Sequence, residues 1–259
     1  MNTQAKTKAI WNELATWWDE SYQEGDLYHR TFLFPTLTKW AAAKPGQRIL
    51  DIGCGNGALA RVFAKAGADV VATDFSEVFI QKCQERSQDL SIDYRVIDAT
   101  DPVQLESLID LGPFDCIVSS MVLHDMPTIT PLAQALPALL KNTGCFIFTV
   151  PNPCFNSGLT DIELLKKHMA EGHLIMPNRY IKPQQHAMRS KPGQPVDQLI
   201  FHRPLSVLFD AFFEAGLVMN GFVEPIAAEG ALPPDFLWAQ LSDIPPAVIC
   251  RWAKPNPQP

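Results

Sequence analysis

The sequence predicts an α/β fold, a parallel sheet with helices packed on both faces. Three observations predict it. Short apolar runs of strand length and longer stretches of helical spacing alternate from residue 48 to residue 150, the pattern of successive βαβ units. A glycine turn, Gly53-Cys54-Gly55-Asn56-Gly57, joins the first run to the first helix of that series. The composition is globular: 259 residues, 47% hydrophobic and 19% charged, enough apolar surface for a large core. It excludes a disordered chain, a coiled coil and a collagen-like repeat, and the length fits one domain over 1–259.

The elements follow in order. Ile10, Leu14, Trp17 and Trp18 recur at helical spacing within 5–21, an amphipathic helix with an aromatic face. A second helix is expected over 31–43, entered through Tyr28-His29-Arg30 and stopped by Lys44-Pro45-Gly46. No linker composition separates this N-terminal helical part, 1–43, from the first strand, Arg48–Ile52. Then come a helix over 58–66, a strand over 69–73, and a helix over 76–87 with Ser76 as its N-cap. A strand over 92–97, a polar helical segment around 102–110, a strand over 114–120, a helix over 130–141 and a strand over 144–150 complete the ligand-binding half, 44–150.

Pro151-Asn152-Pro153 ends the alternation. The insertion 151–203 carries further prolines at 177, 183, 192 and 195. It is expected to hold one helix (160–171) and two strand-like pieces near 178–182 and 196–202, over the ligand edge of the sheet. A stretch this long and irregular is usually functional. Pro204 suits the N1 position of a helix over 205–215 stopped by Gly216. Strands over 217–223 and 247–253, joined by a Pro-rich connection, close the part 204–254.

The chain has 28 acidic and 21 basic residues, net charge −7. No Lys/Arg cluster appears, which argues against nucleic acid as a partner. The six cysteines form no CxxC pair, so zinc and redox-pair signals are absent. Cys116, Cys145 and Cys250 lie in apolar stretches and read as core. Asp161, Glu163, His168 and His173 do not stack on one helical face, so no metal site is expected. Lys166, Lys167, Arg179, Lys182, Arg189 and Lys191 read as a solvated face, and Trp11, Trp17, Trp18 and Trp40 as core and lid packing. Glu13, Asp19 and Glu20 interrupt the N-terminal apolar residues, unlike a secretory signal. No run approaches the roughly 18 apolar residues of a membrane span. The expected compartment is the cytoplasm.

The glycine turn lets a ligand approach the backbone closely. Asp74 ends the second strand, where a carboxylate accepts both hydroxyls of a ribose. Asp98-Ala99 ends the third, where a carboxylate receives an adenine amino group. All three features fall at carboxyl ends of neighbouring strands, and together they point to an adenosine-type ligand. A nicotinamide site usually reads G-x-G-x-x-G, with a pyrophosphate at the helix N-terminus. Here the spacing is G-x-G-x-G and Asp51 precedes it. A carboxylate repels a pyrophosphate and suits the sulfonium and ammonium of S-adenosylmethionine. A dinucleotide-dependent oxidoreductase and a non-catalytic adenosyl-ligand binder of the same fold are the alternatives.

Asp51–Gly57 resembles the hallmark loop of class I S-adenosylmethionine-dependent methyltransferases. The resemblance continues through Ala72-Thr73-Asp74-Phe75-Ser76, Val96-Ile97-Asp98-Ala99, Phe114–Ser120, His202-Arg203-Pro204-Leu205-Ser206 and Glu224-Pro225. It implies a Rossmann-like, seven-stranded, mostly parallel sheet with the last strand antiparallel, an N-terminal helical lid and an insertion after strand five. It implies S-adenosylmethionine as cofactor, S-adenosylhomocysteine as product and a small-molecule methyl acceptor, with O-, N- and C-methylation all open. By the same resemblance Asp51, Gly53, Cys54, Gly55 and Gly57 form the loop along methionine and ribose. Asp74 holds the ribose diol, Phe75 packs on adenine beside Ser76, and Asp98 and Ala99 bind the adenine edge. Ser119, Ser120 and Met121 border the methionine and its methyl, and Tyr28 and Arg30 reach the cofactor's carboxylate.

A sulfonium methyl is already activated, so geometry and exclusion of water matter most. An oxygen or nitrogen acceptor can also need a base. The candidates are His124 and Asp125, after the fourth strand, and His202, at the end of the insertion. His124 and His202 are expected on the two sides of an acceptor cleft between the His124 loop and the 151–203 insertion.

Overall fold

The computed structural model describes residues 2–156 and 180–255. Helix α1 spans Thr3–Tyr22, and the Asn2 side chain caps it by accepting from Ala5 N. The helix expected over 31–43 is instead a π-helical turn, His29–Leu33, feeding α2, Phe34–Ala41. Pro35 has no N–H to give to the preceding turn, so the regular ladder settles only beyond it. Strand β1 is Arg48–Ile52, α3 Ala58–Lys65, β2 Asp69–Asp74, and α4 Glu77–Arg86. Ser76 caps α4 as expected, its Oγ accepting from Phe79 N at 3.2 Å. Strand β3 is Ile92–Val96, α5 Pro102–Glu106, β4 Phe114–Ser120, and α6 Thr130–Leu139. Strand β5 runs from Leu140 to Pro151, longer than expected. Its early residues are irregular: Phe114 pairs with Leu140 but Cys116 with Cys145, so only the later part has regular strand patterning.

A single helical turn, α7 (Pro153–Asn156), leads into the insertion. The helix expected over 160–171 lies outside the described residues. The strand-like piece expected near 178–182 lies further on: β6 is Gln184–Met188, paired antiparallel with β7, Gln198–His202. Pro183 cannot donate to a strand partner, and β6 starts just after it. Pro204 is the N-cap of α8, Leu205–Glu214, rather than its first residue. Its carbonyl accepts from Leu208 N at 3.0 Å, and the N–H that proline lacks is not called on at that position. Strand β8 is Val218–Val223. The connection to β9, Ala247–Ala253, carries one more helical turn, α9 (Leu237–Gln240). No helix among the described residues is long and apolar enough to cross a membrane.

The main sheet has seven strands in the order β3-β2-β1-β4-β5-β9-β8. β1 to β5 are parallel, and β9 alone runs antiparallel, between β5 and β8. This is the Rossmann-like sheet that the resemblance implies. Alternate residues of each strand enter opposite cores, as the pleat requires. Leu50, Ile117, Phe146, Phe148 and Trp252 face one core, with Leu132 and Leu136 of α6 and Leu208 and Phe212 of α8. Ile49, Val70, Val118, Ile147 and Ile249 face the other, with Leu37 of α2 and Leu59 and Phe63 of α3. Both faces are buried, which explains strands that read as continuous apolar runs.

Phe212 is fully buried, with ring centroids 5.2 Å from Phe148, 5.5 Å from Phe146 and 5.1 Å from Trp252. Phe212→Ala is expected to cost about 3–5 kcal/mol of unfolding free energy. Urea denaturation checks this, and a loss below about 1 kcal/mol would contradict the packing described.

Candidate active site

The site forms where β1 to β4 end. Gly53 N and Cys54 N both donate to Thr73 O, at 2.7 and 2.9 Å, bending the chain back over β2. Gly53 has φ +70°, and a Cβ there would collide with the Val122 side chain. That position needs glycine for conformation and for space. Asp74 then locks the loop from β2. Its Oδ2 accepts from Gly55 N at 3.0 Å and its Oδ1 from Ser76 N at 2.9 Å.

These strand ends line one cavity of about 1130 Å³, counting its open mouth. It runs across the sheet order from Asp98 and Ala99 at β3, past Asp74 and Phe75 at β2 and Gly53, Cys54 and Gly55 at β1, to Ser120 and Met121 at β4. Met121 stands in the left-handed region, φ +60°. Its N–H, donating to Thr149 O and to Thr149 Oγ1 at 3.0 Å each, holds it there against a cost of about 1–3 kcal/mol. Of the other residues named from the sequence, Asp51, Gly57, Ser76 and Ser119 sit behind this wall. Ser76 and Ser119 are fully buried, and a Cβ on Gly57 would stand 2.7 Å from the Tyr94 hydroxyl.

Helix α1 covers the cavity with Gln4, Trp11, Trp18 and Tyr22. It is anchored at both ends. The Gln4 amide donates to both Asp98 oxygens, at 2.9 and 2.8 Å, and Asp19 is paired with Arg86 of α4 and accepts from Asn56 of the glycine loop.

Tyr28 and Arg30 do not reach the cavity. The Tyr28 hydroxyl donates to Pro246 O at 3.3 Å and its ring packs on Phe32 and Trp238, while Arg30 is exposed. The π-helical turn rotates these two outward and brings His29 in. His29 lines the cavity, and its Nδ1 donates to Asp26 Oδ1 at 2.7 Å. Lys191, from the insertion, also pairs with Asp26 and lies over the Trp18 ring. Burial opposes the charge on Asp26, but the bonds from His29 and Lys191 outweigh it and hold the carboxyl far below its usual range. The Asp-x-x-His spacing of Asp26 and His29 was the legible signal for this pair.

Of the histidines named from the sequence, His124 lines the cavity together with Asp125. Burial first, and the Arg203 charge second, push His124 down to about 3. His202 is not in this cavity. Its Nε2 donates to Tyr180 O at 2.7 Å, and it lines a smaller cavity on the other side of His124. That smaller cavity lies at the end of β5, with Val150 and Pro151 in its wall. Gln198 and Ser190 represent the insertion at the main cavity.

A family model described as a methyltransferase domain matches residues 25–194. The chain belongs to that family. Among relatives of this methyltransferase domain, the ubiquinone biosynthesis O-methyltransferase of Actinobacillus pleuropneumoniae is 31% identical over 144 residues, 53% of this chain and 60% of that one. The enzyme of the same name from Bordetella avium is 28% identical over 205 residues, 71% of this chain and 82% of that one. An S-adenosylmethionine-dependent methyltransferase from Mesorhizobium loti shares the fold, with TM-score 0.63 and 22% identity over 85% of this chain and 96% of that one.

Two buried carboxyls set the electrostatics of the domain. Asp51 Oδ2 has no hydrogen-bond partner, and burial, then the charge of Asp74, raise its pKa to about 7. Burial raises Asp74 to about 6 despite the N–H groups of Ser76 and Gly55. Each binds its proton more tightly folded than unfolded. The stability this gives is complete below pH about 4 and is lost as pH rises through about 6 and about 7. Asp51→Asn is therefore expected to raise the thermal midpoint of the ligand-free protein at pH 8 and to flatten its decline from pH 5. An unchanged pH profile would contradict the buried, unpaired state of Asp51.

Proposed function

We propose that the protein transfers the methyl group of S-adenosylmethionine to a hydroxyl of a small-molecule acceptor. The observation that carries this is the meeting of the glycine loop, Asp74 and Asp98 in one cavity backed by Asp51, a buried carboxylate with an unpartnered oxygen. A cationic adenosyl ligand is what such a wall fits, and a pyrophosphate is what it repels. Oxygen as acceptor atom follows the O-methyltransferase name of the relatives. The six cysteines are all free thiols, which agrees with the cytoplasm as compartment.

When bound, S-adenosylmethionine supplies a methyl group activated on a positively charged sulfur. Asp74 accepts the ribose hydroxyls, with Phe75 against the adenine. Asp98 takes the adenine amino group in place of the Gln4 amide. Asp51 lends negative charge beneath the loop to the methionine ammonium, and Ser120 and Met121 border the methyl. Helix α1 acts as the lid, its Trp11 and Trp18 rings keeping water from the reacting atoms. The acceptor enters between the His124 loop, the insertion and His29.

His29 is the base in this reading. The Asp26 carboxylate fixes the proton on Nδ1, so the lone pair stands on Nε2, ready for the acceptor's proton. His124 is too strongly disfavoured as a cation for that role.

Asp74→Ala is expected to weaken binding of S-adenosylhomocysteine by about 1.5–3 kcal/mol per lost bond. Calorimetric titration measures it, and an unchanged dissociation constant would remove the ribose assignment. With a panel of hydroxylated acceptors, His29→Gln should lower turnover by about 10²–10⁴-fold while cofactor affinity stays within about twofold. Full turnover in that variant would remove His29 as the base.

A further inference from the structure

A second cavity, of about 420 Å³ with its mouth, lies on the far side of His124 from the main one. His124 lines both. Three of the second cavity's walls carry basic side chains: His186 on β6, His202 on β7 and Arg203 just after it. The remaining walls are apolar, from Leu123, Val150, Pro151, Pro153 and Leu208.

Arg203 is the unusual member. It is partly buried, and its bonds go to backbone carbonyls: Leu123 O at 3.0 Å, Phe201 O at 3.2 Å and Met126 O at 2.6 Å. It has no carboxylate partner among the described residues. A guanidinium has five N–H groups, so these bonds leave two unused. Burial pushes its pKa down to about 10, and its charge also reaches His124. A cation in an apolar wall without a counter-ion is costly, and the chain as a whole carries a net charge of −7. Three backbone carbonyls hold this cation at the cavity wall, and no carboxylate among the described residues pairs with it. Although three imidazoles line it, no group of three or more His, Cys, Asp or Glu side chains placed to hold a metal ion is found among the described residues.

We infer that this second cavity binds a single anionic group, a carboxylate or a phosphate, carried by the methyl acceptor, with Arg203 and the His186 and His202 imidazoles around it. The inference rests on the methyl-transfer reading for the identity of the ligand. An acceptor anchored there extends past His124 into the main cavity, where His29 and Met121 stand. The anion thus sets which end of the acceptor faces the methyl donor.

The test uses the full chain saturated with S-adenosylhomocysteine. Sodium benzoate and sodium phosphate are titrated in turn against sodium chloride at constant ionic strength, following the imidazole ring resonances of His186 and His202. A saturable shift with benzoate, phosphate or both, absent with chloride, is expected. Benzoate alone identifies a carboxylate as the group, and phosphate alone a phosphoryl group. His186→Glu places a carboxylate on the cavity wall without touching the carbonyl bonds of Arg203. It should raise the dissociation constant of the anion more than tenfold and leave that of S-adenosylhomocysteine unchanged. Arg203→Gln should abolish the shift; if that variant does not fold, His186→Glu decides. No saturable shift in the native protein, or the same anion affinity in His186→Glu, overturns the inference. Failure of S-adenosylhomocysteine to bind at the outset overturns the cofactor reading instead, and calorimetry reports that separately.

Discussion

The Asp74 carboxylate holds three pieces of chain in one place. One oxygen takes the N–H of Gly55 in the loop after β1, and the other takes the N–H of Ser76 at the start of α4. The loop's position over β2, the entry of α4 and the cavity floor follow from that pair of bonds. Both are made to a buried acid, where hydrogen bonds are strong and an unmade one is costly. Glycine at 53 is a further condition, since any side chain there meets Val122 and pushes the loops after β1 and β4 apart. The lid adds to the same node: Asn56 of the loop donates to Asp19 and to Gln23 O, so α1 is seated on the loop that Asp74 positions.

Charge is divided across His124. On one side, Asp51, Asp74, Asp98 and Asp125 gather at strand ends, and burial raises three of them. On the other, Arg203, His186 and His202 line a cavity whose described lining has no carboxylate. On the proposed reading, a ligand with a positive centre is favoured on the first side, where it draws the buried carboxyls into their charged form, and a negative group on the second. His124, held neutral between them, separates the two without cancelling either.

The strands and the glycine loop at the cavity were legible because each carries a local signature. Phe114–Ser120 and Ala247–Ala253 have the predicted bounds, being apolar runs closed by turn residues. Asp74, Asp98 and the glycines are fixed by their positions at strand ends, which topology alone determines. The errors fall where tertiary packing overrides local pattern. The resemblance and its N-terminal lid assign Tyr28 and Arg30 to the cofactor, with a regular helix expected over 31–43. The π-helical turn at His29–Leu33 changes the phase and brings His29 in instead. The strand that ends at His202 was expected, but the bond from its Nε2 to Tyr180 O, in the turn before β6, has no sequence signature. Arg203, quoted only as part of a helix start, shows its lack of a counter-ion only once the fold surrounds it.

The contact between Gln4 and Asp98 has a consequence for access. A primary amide offers a carboxylate the same kind of N–H donor that an adenine amine would, and Gln4 places it on both oxygens at once. On the proposed reading of Asp98, Gln4 is a tethered competitor for the adenine amino group, and the consequences for entry hold on that reading. Attached to a helix already seated on α4, that competitor acts at a high effective concentration. Entry becomes an exchange rather than a simple filling, so a ligand bearing only an adenine gains little by evicting it. Only one that also engages Asp74 and the glycine loop gains enough, and the threshold screens whole adenosyl ligands from the many fragments that share their base.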